Sequence, residues 1–186
     1  MRIVAGRYRG RALAVPAGEH TRPTSDRVRE AMFNILAHGA PAFDFTGIRV
    51  LDLFAGTGAL GFEAMSRGAA FALFVEEDPV ARGLIRTNVE AFGLTGQTKI
   101  FRRDATDMGL AAQMGRFELA FLDPPYGRGF AERALASLAA GGWLADGAIA
   151  VVEEHTDAAV ALPAGFAQIG HRTWGITQAV FVRFEG

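Results

Sequence analysis

Asp123-Pro124-Pro125-Tyr126 closes the apolar run from Phe117 to Leu122. A carboxylate, a proline carbonyl and an aromatic ring within four residues suit a planar nitrogen nucleophile. The exocyclic amine of a base is a weak nucleophile because its lone pair is delocalised into the ring. Two acceptors on its N–H bonds, the Asp123 carboxylate and the Pro124 carbonyl, would turn that lone pair toward an electrophile. Both interactions strengthen as the nitrogen becomes pyramidal and positive, so they favour the transition state over the ground state. Tyr126 would stack on the base and set its plane. The prolines stiffen the loop, since φ is fixed at each. Asp123, Pro124 and Tyr126 are therefore the expected catalytic residues. The competing reading is a rigid turn that ends a strand.

Upstream, Gly56-Thr57-Gly58-Ala59-Leu60-Gly61 matches the G-x-G-x-x-G fingerprint, and Glu76 follows Gly56 by 20 residues, where a ribose-binding acid belongs. Taken alone, the pattern serves a nicotinamide dinucleotide and S-adenosylmethionine equally. Three features favour S-adenosylmethionine. Asp52 lies inside the preceding strand, where a carboxylate suits a cationic methionine end and poorly serves a pyrophosphate. Asp104-Ala105 follows the third strand, where a carboxylate can accept from the adenine amino group. The acceptor motif follows the fourth strand, beside the same crevice. The expected cofactor residues are Asp52, Phe54, Gly56, Gly58, Glu76, Asp104, Ala105 and Asp123. Arg22 and Thr24 join them from a Pro-containing loop that would cover the ligand. Two alternatives stay open: Asp104 as the cap of the next turn, and Asp52 as a buried, hydrogen-bonded acid.

The elements that must position these groups are legible as periodicity. Ile3 to Val15 reads as two short strands around a turn at Gly6 to Gly10. A helix follows, capped by Thr24 or Ser25, with Val28, Met32 and Ile35/Leu36 at helical spacing. From Arg49 strand and helix alternate. Strands are expected at Arg49 to Phe54, Phe71 to Val75, Thr98 to Phe101, Phe117 to Leu122 and Ala148 to Val152. Helices are expected from Gly58 to Arg67, from the cap Asp78 and first residue Pro79 to the stop at Gly93, and from Phe130 to Leu138. Phe166 to Trp174 and Ile176 to Phe184 form a hairpin. The fold class is α/β: a mostly parallel sheet with one antiparallel strand, covered by helices. One domain is expected over 1–186, an N-terminal extension (1–38) on a catalytic core (48–186).

The chain has 186 residues, half of them apolar and 21% charged, as in an ordinary globular domain. It has no cysteine, so disulfides, thiolate nucleophiles and zinc fingers are excluded. Its four histidines lack ligand spacing, and no metal is expected. No apolar run is long enough to span a bilayer and the N-terminus lacks a signal pattern, so the expected place is the cytoplasm. The net charge of −1 hides an asymmetry: the first 29 residues hold seven arginines against Glu19 and Asp26. Such an arm is a phosphate-binding footprint or a solvated basic terminus. The expected nucleic-acid contacts are Arg7, Tyr8, Arg9, Arg11, Arg22 and Arg27, with Tyr8 equally able to pack on the core.

Val50-Leu51-Asp52-Leu53-Phe54-Ala55-Gly56-Thr57-Gly58 resembles motif I of the class I methyltransferases, and Asp123-Pro124-Pro125-Tyr126 resembles their amino-group motif. Met1 to Arg11 and Arg22 to Leu36 are more specific. They are similar to the RsmD family of bacterial 16S ribosomal RNA guanine-N2 methyltransferases, and the resemblance runs over essentially the whole chain. It implies a Rossmann-like fold with a seven-stranded sheet and S-adenosylmethionine-dependent methylation of one guanine N2. The implied substrate is 16S rRNA within the small ribosomal subunit or its assembly intermediate, approached by a monomer. The rivals are another amino-group methyltransferase, acting on DNA adenine or a protein glutamine, and a non-catalytic ribosome-binding factor.

Overall fold

The computed structural model describes residues 1–16, 26–39 and 42–186. Its elements alternate in chain order: α1 (Asp26–His38), β1 (Arg49–Leu53), α2 (Ala59–Ser66), β2 (Phe71–Val75), α3 (Pro79–Phe92), β3 (Thr98–Phe101), β4 (Phe117–Leu122), α4 (Phe130–Ala140), β5 (Leu144–His155), β6 (Phe166–Trp174) and β7 (Thr177–Phe184). Local chemistry sets several of these ends. Asp78 caps α3 by accepting from the Ala81 N–H at 2.8 Å, and Pro79 opens the helix where its missing N–H costs nothing. Gly93, at φ 69°, turns the chain out of α3.

The strands form one seven-stranded sheet in the order β3-β2-β1-β4-β5-β7-β6. β1 pairs in parallel with both β2 and β4, and β4 pairs in parallel with β5. β7 lies between β5 and β6, antiparallel to each, and is the one reversed strand expected. The strand order reverses between β1 and β4. Loops leaving their carboxyl ends diverge there and open a crevice, the place where α/β sheets bind ligands.

Period-2 alternation sorts the strand side chains onto two faces. Val50, Phe74, Leu119 and Phe121 pack on one face with Met32 and Phe33 of α1, Phe62 of α2 and Ile85 of α3. Leu51, Leu73, Ala120 and Val152 pack on the other with Leu135 and Leu138 of α4 and with Trp143. Each fully buried side chain of this size contributes about 1.5–3 kcal/mol, so both faces hold the sheet rigid beneath the crevice. Among the described residues no helix is long and apolar enough to cross a membrane.

Two expectations need adjustment. The N-terminal hairpin pairs, with Arg2 bridged to Ala12 and the Ile3 N–H donating to the Arg11 carbonyl, but it forms no full strands. Its backbone donors turn elsewhere: Val4 and Ala5 to the Glu63 carboxylate at 2.8 and 3.0 Å, Arg7 to the Ser66 carbonyl at 2.7 Å. Gly6 makes this close approach possible, since a Cβ there would stand 2.0 Å from the Ser66 carbonyl oxygen. β5 also runs past Val152 to His155, because Glu153, Glu154 and His155 pair with Ala179, Gln178 and Thr177 of β7. The expected cap at Thr24 or Ser25 lies outside the described residues.

Candidate active site

The crevice at the strand reversal is a cavity of about 680 Å³. Phe54 from the end of β1, Glu76 from the end of β2, and Asp104 and Ala105 after β3 form one side. Asp123, Pro124, Pro125 and Tyr126 after β4 form the other, with Glu153 of β5. The sheet thus brings most of the expected cofactor residues and the acceptor motif to one cavity. Asp52, Gly56 and Gly58 lie just behind its wall rather than on it.

Asp52 is 2% exposed, and its Oδ2 accepts from the Gly61 N–H at 2.8 Å. Gly61 belongs to the first turn of α2, so the acid satisfies one of that helix's orphan donors. The contact needs a glycine: a Cβ at Gly61 would lie 2.4 Å from the Phe74 ring and 3.1 Å from Asp52 Oδ2. Burial pushes the Asp52 carboxyl up to about 8, against the Gly61 hydrogen bond and helped by the negative charge of Glu76. Asp52 is thus the buried, hydrogen-bonded acid of the second reading, and near neutral pH it holds its proton behind the cavity.

Glu76 ties the glycine loop to β2. Its Oε2 accepts from the Gly56 N–H and its Oε1 from the Asp78 N–H, both at 2.8 Å. Each carboxylate oxygen has more than one lone pair, so ribose hydroxyls can still donate to it. At the end of β1 Phe54 adopts φ 57°, a left-handed conformation that a bulky side chain enters only at a cost. Its ring lies parallel to Phe130, 6.3 Å away and 5° from coplanar, on the cavity wall.

Asp104 both caps its turn and faces the cavity. Its Oδ1 accepts from the Thr106 N–H and hydroxyl, each at 2.8 Å, and these bonds hold its carboxyl below the usual range. Across the cavity Asp123 is raised well above that range, first by burial and then by the charges of Glu153, Asp52 and Glu154. The Tyr126 hydroxyl donates to Glu153 Oε1 at 2.8 Å and lies 3.4 Å from Thr177 Oγ1, which fixes the ring. Its own pKa is also raised, mainly by burial.

Glu153, Phe130, Arg103 and Arg133 line the cavity without having been expected there. A signal existed for Glu153: an acid ending an apolar strand at the same sheet edge as Asp123.

The basic arm divides. Arg7, Arg9, Arg11 and Arg27 are exposed. Tyr8 is 7% exposed and stacks on Phe92 at 5.1 Å, so its ring packs on the core and does not present a face to a base. Arg11 donates to the Ala91 carbonyl and lies over the Phe92 ring. Arg22 and Thr24 lie outside the described residues.

The acids Glu76, Asp104 and Glu153 on the cavity wall also select between cofactors. A pyrophosphate would meet like charge there, whereas a ligand carrying sulfonium and ammonium charges is complemented. The residues present fit S-adenosylmethionine.

Known proteins point the same way. Residues 1–183 match the family described as conserved hypothetical protein 95. The chain is 40% identical over 158 residues to the ribosomal RNA small subunit methyltransferase D of Escherichia coli K12, covering 84% of this chain and 76% of that one. It is 34% identical over 178 residues to the protein of the same name in Haemophilus influenzae, covering 95% and 90%. A methyltransferase structure from Escherichia coli superposes with a TM-score of 0.83 at 34% identity, over 100% of this chain and 98% of that one. With the glycine loop, the acid row and the Asp-Pro-Pro-Tyr motif at one cavity, the chain belongs to this family, RsmD, and is a methyltransferase with S-adenosylmethionine as its donor.

Proposed function

We propose that this protein methylates the exocyclic N2 of a guanine in 16S ribosomal RNA, within the small subunit or its assembly intermediate. The observation that carries the reading is the acceptor motif on the wall of the acid-lined cavity. The relatives named as ribosomal RNA small subunit methyltransferases supply the substrate class. Bound S-adenosylmethionine supplies an electrophilic methyl group. Glu76 would accept from its ribose hydroxyls and Asp104 from its adenine amino group, with Asp52 behind them giving up its proton to solvent as the cofactor's positive charge arrives.

On the acceptor side the Asp123 carboxylate and the Pro124 carbonyl would take the two N–H bonds of the guanine amine. Tyr126, held by Glu153 and Thr177, presents its ring for stacking on the base. A base in a folded RNA must leave its stack to reach this wall. The exposed arginines 7, 9, 11 and 27 would meet RNA phosphates outside it, with Arg22 as a further contact. In this reading the chain works in the cytoplasm as a monomer and as one unit, 1–38 resting on the core of 48–186.

Mapping N2-methylguanine in 16S rRNA from a deletion strain tests the reading. One modification should vanish and return with the wild-type chain but not with Asp123→Ala. An unaltered rRNA modification map in the deletion strain would overturn it.

A further inference from the structure

β4 and β5 deliver two carboxylates to the acceptor cavity, and the reaction so far gives a direct part to one. Leu122 pairs with Val152 in parallel register. The residues that follow, Asp123 just beyond the end of β4 and Glu153 within β5, therefore lie next to each other where the strands run about 4.8 Å apart. Both line the cavity with Pro124 and Tyr126. Glu153 is 5% exposed, and the hydroxyl of Tyr126 donates to its Oε1 at 2.8 Å. The carboxylate is thus seated at the rim of the ring proposed to stack on the base. Glu154 is equally buried but serves the backbone: its Oε1 accepts from the Gly127 and His155 N–H groups. Successive strand residues point to opposite faces, which separates the two roles.

A carboxylate buried beside another is stabilised by each further donor-bearing partner that arrives. Guanine is such a partner. Its Watson–Crick edge carries N1–H and the N2 amine side by side, whereas adenine offers a bare N1 acceptor there. We propose that Glu153 reads the base, its carboxylate accepting from guanine N1–H while Asp123 and Pro124 hold the N2 amine. This rests on the guanine-N2 reading above and deepens it. Two adjacent carboxylates fit two adjacent donors, and they repel a base that turns a lone pair toward them.

The test uses small-subunit particles reconstituted with guanine or 2-aminopurine at the modified position. 2-Aminopurine keeps the N2 amine and lacks N1–H. In single-turnover assays the wild type should prefer guanine by about 10²-fold or more, as sites built around a hydrogen bond reject analogues without it. Glu153→Gln keeps an acceptor for the Tyr126 hydroxyl and can donate its amide to a bare N1. It should narrow the preference by about 10-fold or more. Tyr126→Phe removes the hydroxyl that meets Glu153 and should slow both substrates alike. Melting curves and S-adenosylmethionine affinity verify that the variants are folded. The proposal is overturned if the wild type methylates both bases at equal rates, a comparison that decides even if Glu153→Gln does not fold. It is also overturned if Glu153→Gln keeps the wild-type preference, or if Tyr126→Phe narrows it to the same degree. Should the wild type leave N2 of guanine unmethylated, the guanine-N2 reading itself falls.

Discussion

Asp52 stores a proton. Its carboxyl sits at about 8 in the folded chain, raised by burial, while an unfolded chain releases the same proton near the ordinary carboxylate value of about 4. Between those values the folded state holds a proton that the unfolded state lacks. Stability therefore falls as pH rises through that window, by at most about 1.4 kcal/mol per unit, and this contribution is gone above the folded value. Asp52→Asn retains an acceptor for the Gly61 N–H and should flatten the dependence. Urea midpoints between about pH 5 and 9 check this, and an unchanged slope in the variant would remove Asp52 as the cause. At Asp123 the expected effect is on rate. Asp123→Ala should leave cofactor affinity within a few-fold and lower single-turnover methylation by about 10²-fold or more. Asp123→Asn should lose less, because its amide oxygen still accepts. Equal rates for alanine and wild type would make Asp123 a structural turn residue. Asp123 and Glu76 were legible because each stands in fixed relation to a glycine or proline signature. Glu153 carried only a weaker signal, an acid after an apolar run, since nothing in that run says which neighbour its strand will have.

The elements were legible where their ends carry their own chemistry. α3 has its Asp-Pro start and Gly stop in the sequence, and the structure follows them. β5 was read too short at both ends: it begins at Leu144, paired with Phe117, and its last residues are held by β7, partners that local pattern cannot show. The N-terminal segment was harder still. Several of its backbone donors go to Glu63 and Ser66, so α2 takes over part of the cross-strand ladder that hairpin periodicity suggested. Tyr8, set between arginines, fits an RNA clamp or a core position equally, and the choice was made by Phe92 at the far end of α3. The arm's role is thereby narrowed to its arginines. Replacing Arg7, Arg9 and Arg27 by alanine should spare S-adenosylmethionine affinity and weaken binding to small-subunit particles. The salt dependence should become shallower by about 0.7–0.9 in log–log slope for each phosphate that the variant no longer neutralises. Identical affinity and slope in the triple variant would leave the arm a solvated terminus.

At the scale of the whole molecule, a buried ionic cluster joins the extension to the core. Arg29 is fully buried, Glu63 is fully buried 3.6 Å from it, and Arg67 donates to Glu63 at 2.9 Å. Arg29 also reaches Asp26 at 2.8 Å and the Arg2 carbonyl. Removing Glu63 would take from the buried guanidinium its buried counter-charge, leaving it the half-exposed Asp26, and would free the Val4 and Ala5 donors. Glu63→Ala should cost about 3–5 kcal/mol, the usual penalty for breaking a buried pair from one side. Urea unfolding measures it, and a destabilisation below about 1 kcal/mol would show the cluster to be dispensable. The same cluster has a consequence for the order in which the chain is made. Val4 and Ala5 leave the ribosome long before Glu63, and Ala14 long before the Asn88 side chain that receives its N–H. During synthesis the arginine-rich beginning of the chain therefore waits without its anchors. It settles only after α2 and α3 have emerged, so residues translated early are among the last to fold.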